Sequence, residues 1–97
     1  MNIVWTPEAI QDRADIWDYL HAHNPRAAIE MDSRFSQCMG QLAKNPYSGS
    51  IGLVTGTREL IPHPSYRLVY QIDQQRIWIL ALLHTARLWP PHAHSLS

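Results

Sequence analysis

Four cationic side chains stand out by type and placement: Arg58, Arg67, His84 and Arg87, all within the stretch Thr57–Trp89. A guanidinium grips a carboxylate or phosphate through two parallel hydrogen bonds. An imidazole exchanges a proton near neutral pH and is the usual general acid or base. The chemistry on offer is therefore contact with a charged macromolecule, phosphate binding or proton transfer. Each residue also has a plainer reading. Arg58 can pair with Glu59 across strands, Arg67 can pack its stem and solvate its head, and His84 can be satisfied by backbone at a strand end. Arg87 falls beyond the last strand and reads as exposed, which suits target contact. His63, between Pro62 and Pro64, reads as a turn residue.

Other chemistries lack their residues. There is no phosphate-binding glycine loop, no Ser/His/Asp constellation and no zinc-ligand spacing; Gly40, Gly49, Gly52 and Gly56 sit in a helix end and a loop. His21 with His23, and His92 with His94, are pairs two residues apart with no further ligands beside them, so neither a metal nor a cofactor is expected. The single cysteine, Cys38, has no disulfide partner and reads as a core thiol.

The elements that must position these groups follow from pattern. At 97 residues the chain has room for one domain with one modest core. Its charged share of 16% is low, and four tryptophans on so short a chain point to surface that a partner covers. Formal net charge is zero, but the sheet half carries Arg58, Arg67, Arg76 and Arg87 against only Glu59 and Asp73. The start has neither basic n-region nor apolar h-region, and the longest apolar run, Ile77–Leu83, is too short to span a bilayer. A cytoplasmic chain without membrane contact is expected.

Asn2–Trp5 is a strand candidate. Thr6-Pro7-Glu8 supplies a hydroxyl cap, proline at the first helical position and an acid at the positive helix end. Ile10, Ala14, Trp17 and Leu20 form one helical stripe, with Asp12, Asp15 and Asp18 on wet faces. Asn24-Pro25 starts a second helix with Ala28, Met31, Phe35, Cys38 or Met39, and Leu42 inward, ended by Asn45-Pro46. So short a connection makes an antiparallel hairpin. Tyr47–Thr55 is a loop, with Ile51, Leu53 and Val54 as its pins. Three antiparallel strands follow: the first opens at Arg58, the second is Tyr66–Tyr70, whose alternation puts Tyr66, Leu68, Tyr70 and Ile72 on one face, and the third spans Ile77–Leu83 after the turn Asp73–Arg76. The third strand is apolar on both faces, which asks for cover on both sides. The expectation is an α+β two-layer domain over residues 1–97: N-terminal strand at the sheet edge, helical hairpin, three-stranded meander and a flexible tail at about 90–97.

Gly56-Thr57-Arg58-Glu59-Leu60, Tyr66-Arg67-Leu68-Val69-Tyr70 and Leu83-His84-Thr85-Ala86-Arg87, after a strand and a capped helical hairpin, resemble the RelE/ParE toxin superfamily over about residues 2–89. The runs HPSYRLVY and LLHTARLWP are more similar to the ParE branch. The resemblance implies a bacterial type II toxin with the fold described above, paired with an antitoxin. ParE-like members poison DNA gyrase, and RelE-like members cleave messenger RNA in the ribosomal A site.

The leading expectation is a ParE-like toxin that arrests growth by binding gyrase, without hydrolytic chemistry of its own. Its target-binding residues are Arg58, Arg67, His84 and Arg87. Its antitoxin-binding residues are Trp17, Leu20, Trp78 and Trp89, covered by a disordered tail that folds on binding in a toxin–antitoxin hetero-oligomer. The alternative is a RelE-like ribosome-dependent endoribonuclease using Arg67, His84 and Arg58. Arg67 matches an arginine of the nuclease branch, and His84 falls where some nucleases carry a catalytic histidine. Against it stand Thr85, where those members carry tyrosine, and Lys44 as the chain's only lysine. A third reading is an inactive module that only binds antitoxin.

Overall fold

The computed structural model describes residues 1–90, so the expected tail with His92 and His94 lies, beyond Pro90, outside the described residues. The elements are β1 (Asn2–Trp5), α1 (Pro7–His23), α2 (Pro25–Lys44), β2 (Ser50–Ile51), β3 (Thr57–His63), β4 (Tyr66–Asp73) and β5 (Arg76–His84). They form one sheet in the order β1-β5-β4-β3-β2, antiparallel except for the parallel pair β1 and β5. Both helices pack on one face of it, which is the expected α+β arrangement with β2 added.

Local signals place the boundaries. The Thr6 hydroxyl accepts from the Ala9 amide at 3.2 Å and donates to the Ile79 carbonyl at 2.8 Å, so one side chain caps α1 and ties its start to β5. Asn24 Oδ1 accepts from the amides of Arg26 and Ala27 and starts α2. Gln74 and Gln75 both take positive φ (50° and 66°), the geometry of a two-residue turn that matches the twist of its strands.

The core joins Ala9, Phe35 and Leu42 from the helices to Tyr66, Leu68, Tyr70, Ile77, Ile79 and Leu82 from the sheet. The second helical stripe and the inward face of β4 are as expected. The first stripe is corrected: Ala9 is buried and Ile16 packs on the core, whereas Ile10 is 56% exposed. Ala9, Ile16 and Leu20 share a narrow arc at 100° per residue, and Trp17 lies beside it, half-buried and stacked on His21 at 5.9 Å. Two overlapping stripes satisfied the 3.6-residue period, and docking against β5 selects the one with the smaller side chains.

β5 also departs from simple alternation. Val69 faces Ala81 and Tyr70 faces Ile79, so β5 carries one extra residue, Leu80, at a bulge. Past it the phase reverses, and Leu82 enters the core instead of Ala81. The loop differs too. Ile51 (76% exposed) and Leu53 (65%) do not pin it; Tyr70 does, as described below. The sheet face away from the helices carries Glu59, Arg67, Val69, Trp78 and Leu83; no helix packs on it, although Val69 and Ala81 are buried there.

Candidate functional site

Arg67 lies on the uncovered face of β4, in register with Leu83. Its Nη2 donates to the Thr85 carbonyl at 3.1 Å, and its Nε lies 3.4 Å from Glu59 Oε1. Glu59, in register with Val69, thus meets Arg67 diagonally and does not pair with its neighbour Arg58. The Nε makes no aligned hydrogen bond within the described residues, so the contact is an ion pair by distance alone.

Arg58 serves the loop. Its Nη1 donates to the carbonyls of Gly49 at 2.9 Å and Tyr47 at 3.3 Å, and its guanidinium carbon sits 5.1 Å from the centre of the Tyr47 ring. The same loop is held by the buried Tyr70 hydroxyl, which accepts from the Gly49 amide at 2.9 Å and donates to the Pro46 carbonyl at 2.8 Å. Burial pushes the Tyr70 phenol above its ordinary range. A side chain at Gly49 has no room, since an added Cβ falls 2.6 Å from Tyr70 Oη and 2.8 Å from the Glu59 carbonyl. Arg58 pairs in register with Tyr70, three residues along β4 from Arg67, roughly 10 Å away and on the opposite face.

His84 closes β5. Its Nδ1 accepts from the Ala86 amide at 3.1 Å, which places the proton of the neutral ring on Nε2, turned outward. Its ring meets Tyr66 edge-on at 6.1 Å. His63 flanks Tyr66 from β3 at 6.4 Å, with its own Nδ1 accepting from the Ser65 amide at 3.1 Å. His84 is met by backbone at the strand end, and His63, read as a turn residue, closes β3; among the described residues neither Nε2 has a hydrogen-bond partner. Burial, and then proximity to Tyr19, raises the Tyr66 phenol.

Beside His84, a groove between α1 and β5 is lined by Asp12, Asp15, Tyr19, Tyr66, Leu83 and Arg87, among others. Arg87 is exposed. Asp12, read as a wet-face residue, instead accepts from the Leu82 amide at 3.0 Å. Desolvation holds its carboxyl above the usual range, and Asp15 and Glu8 push the same way, against the Leu82 amide and Arg87.

The four cationic residues are not gathered at one point. His84 and Arg87 line one groove at the end of β5, Arg67 lies on the opposite face of the sheet, and Arg58 is spent on the loop. Trp17 borders a shallow cleft with Trp5, Ile10 and Arg13 on the helical layer. Leu20 is half-buried on the same helix, Trp78 is half-buried on the uncovered sheet face, and Trp89 lines a cavity with Leu80 and Leu83. Among the described residues no group of three or more His, Cys, Asp or Glu side chains is placed to hold a metal. No described helix is long and apolar enough to cross a membrane.

Residues 3–89 match the family model described as the ParE toxin of the type II toxin–antitoxin system parDE. The chain belongs to the ParE toxin family. Among relatives of this ParE-family chain, Toxin RelE2 of Caulobacter vibrioides is 34% identical over 87 residues, covering 90% of this chain and 98% of the relative. Among solved structures, the chromosomal ParDE system of P. aeruginosa superposes with a TM-score of 0.76 at 22% identity, covering 87% of this chain and 95% of that one. The YoeB dimer of Staphylococcus aureus gives 0.60 at 21% identity over the same shares. At these identities the two structures speak for the fold. The ParE/RelE superfamily, its fold and a type II toxin follow for this chain.

Three residues of the site escape sequence reasoning. Arg13 donates to Asp32 Oδ1 at 2.6 Å and to Ser36 Oγ at 2.9 Å, while its guanidinium lies 5.1 Å over the Trp5 ring. Tyr70 reads as an ordinary inward aromatic. Asp12 finds its partner seventy residues away. A polar residue inside an apolar stripe was the one available signal, and it fits Arg13.

Proposed function

We propose that this ParE-family chain inhibits DNA gyrase by binding it and is held inactive by a cognate antitoxin in a toxin–antitoxin hetero-oligomer. The family-model match over residues 3–89 carries the reading. The site supports binding over hydrolysis. RNA cleavage needs several cations converging on one phosphate, with an acid and a base beside them. Here Arg58 is committed to loop carbonyls, Arg67 to Thr85 and Glu59, and the only lysine, Lys44, ends α2 beside Tyr47 and Ser48. Arg87 and the His84 Nε2 stay presented to a target. An antitoxin tail that orders on binding has apolar ground at Trp17 and Leu20, at Trp78 and at Trp89, three separate places that a wrapping segment can join.

The test is a supercoiling assay with purified gyrase, run beside a cell-free translation assay on the same preparation. Lost supercoiling or accumulated cleaved complex, with translation intact, is the expected result. Blocked translation with messenger cleavage that Arg67→Ala and His84→Ala abolish would replace it with the endoribonuclease reading, which the 34% identity to Toxin RelE2 keeps as the competitor. Silence in both assays and in growth would leave an antitoxin-binding module.

A further inference from the structure

Among the described residues, no strand pairs with the edge of β5 beyond the end of β1. β1 pairs with β5 only from Asn2–Arg76 to Trp5–Ile79, and Thr6 then turns the chain into α1 with its amide bonded to the Ile79 carbonyl at 3.1 Å. On the β4 side, the Thr85 amide donates to the Ser65 carbonyl at 2.9 Å. That bond fixes the alternation, so Leu82 and His84 turn their amides and carbonyls off the open edge. Two of these groups are occupied: the Leu82 amide by Asp12 Oδ2 at 3.0 Å, and the His84 carbonyl by the Arg87 amide at 2.9 Å. Among the described residues the Leu82 carbonyl and the His84 amide remain. An acceptor on one residue and a donor two residues later is what a parallel ladder offers to a single facing residue. The edge can thus take a strand running in the direction β1 already uses, with Asp12 left in place.

The surroundings define the chemistry of that strand. Two cavities meet here and share Asp12, Leu83, Ala86 and Arg87. Leu80, Leu83 and Trp89 give apolar wall, while Glu8, Asp12 and Asp15 stand against one guanidinium, Arg87, with His84 at the rim. Asp12 is partly desolvated with like charges on both neighbouring turns, and an incoming cation relieves both penalties. A second copy of the chain fits less well. Two-fold symmetry pairs an edge with itself antiparallel, and a close antiparallel pair at Leu82 needs the amide that Asp12 holds.

We infer that the β5 edge takes an extended basic segment of a partner chain, added parallel to β5 at Leu82–His84, with a lysine or arginine of that segment set against Asp12. Asp12 is then the residue that sets the charge specificity, whichever target the toxin acts on.

The probe is a blocked octapeptide of alternating lysine and valine, titrated into the ¹⁵N-labelled full chain. Controls are its glutamate–valine counterpart and versions N-methylated at alternate residues, which cannot form a ladder. The lysine–valine peptide is expected to shift the Leu83 and His84 amide signals, slow exchange at His84 and bind roughly tenfold or more tightly than any control. Asp12→Asn retains an acceptor for the Leu82 amide and should reduce the preference for lysine over glutamate to about threefold or less. Equal binding of the two peptides to the wild-type chain overturns the inference. So do shifts that fall away from Leu80–His84, tolerance of N-methylation, or an Asp12→Asn chain that keeps the full preference.

Discussion

Glu59 on β3 and Arg67 on β4 meet diagonally on one face of the sheet, Glu59 being in register with Val69, with 3.4 Å between Oε1 and Nε and side chains only 17% and 20% exposed. The pair replaces the expected contact between adjacent Arg58 and Glu59, because neighbours along a strand point to opposite faces while residues on paired strands share one. Removing one member leaves a largely buried charge without its counterion, which costs more than the pair contributes. Arg67→Ala is expected to lower stability by about 2 kcal/mol, and the double change with Glu59→Ala by less than the sum of the single ones. Urea midpoints for the four proteins of the cycle check this. A strictly additive cycle removes the coupling. Loss of toxicity in Arg67→Ala has to be read beside these midpoints.

The Tyr70 hydroxyl is the bolt of the Pro46–Gly49 turn. Tyr70→Phe strands the buried Gly49 amide and is expected to cost about 2 kcal/mol. Gly49→Ala should cost at least as much, since its methyl meets both Tyr70 and the β3 backbone within 2.8 Å. Thermal melts would show it, and a wild-type melt for either variant contradicts the assignment.

The parts of this fold that were legible in its sequence are those decided within a few residues. Thr6-Pro7, Asn24-Pro25 and Asn45-Pro46 set both helices, and the period of two set the inward face of β4. What was not legible depends on contacts across the chain. The phase of α1 turns on which stripe meets β5, and the extra residue at Leu80 has no mark in a strand apolar on both faces. At the site, the resemblance singled out Arg67, His84 and Arg87, of which the fold sets His84 and Arg87 on one groove and Arg67 on the other face of the sheet. It could not tell that Arg58 would be drawn to loop carbonyls or that Asp12 would reach Leu82.

Asp12 gives a pH dependence whose sign follows from its environment. Its folded-state pKa lies above the ordinary value of 3.8, so the protonated form is the better accommodated one. The stability this contributes is complete below 3.8 and is lost as pH rises through the folded-state value. Asp12→Asn stays neutral and keeps an acceptor for the Leu82 amide. It should be at least as stable as the wild type at pH 7, with the difference closing below pH 3.8. Asp12→Ala, lacking the acceptor, should lose about 1 kcal/mol at both pH values. Urea midpoints at the two pH values separate the variants, and an Asp12→Asn chain weaker than wild type at pH 7 reverses the sign.

Arg58 and Arg87 should divide structure from target contact. The Arg58 guanidinium is bound to two loop carbonyls and lies over Tyr47, whereas Arg87 is exposed at the mouth of the α1–β5 groove. Exposed side chains away from caps and networks shift stability by less than about 0.5 kcal/mol when truncated. Arg87→Ala should therefore melt like the wild type yet lose most of its inhibition of growth and of gyrase. Arg58→Ala should lose stability by about 1 kcal/mol, and its inhibition only in proportion to its folded population. A growth-arrest titration against induced protein level, paired with melts, distinguishes the two. Full toxicity in a well-folded Arg87→Ala chain would move the target contact away from the end of β5, to Arg67 on the uncovered sheet face or to the exposed Ile51 and Leu53 of the loop.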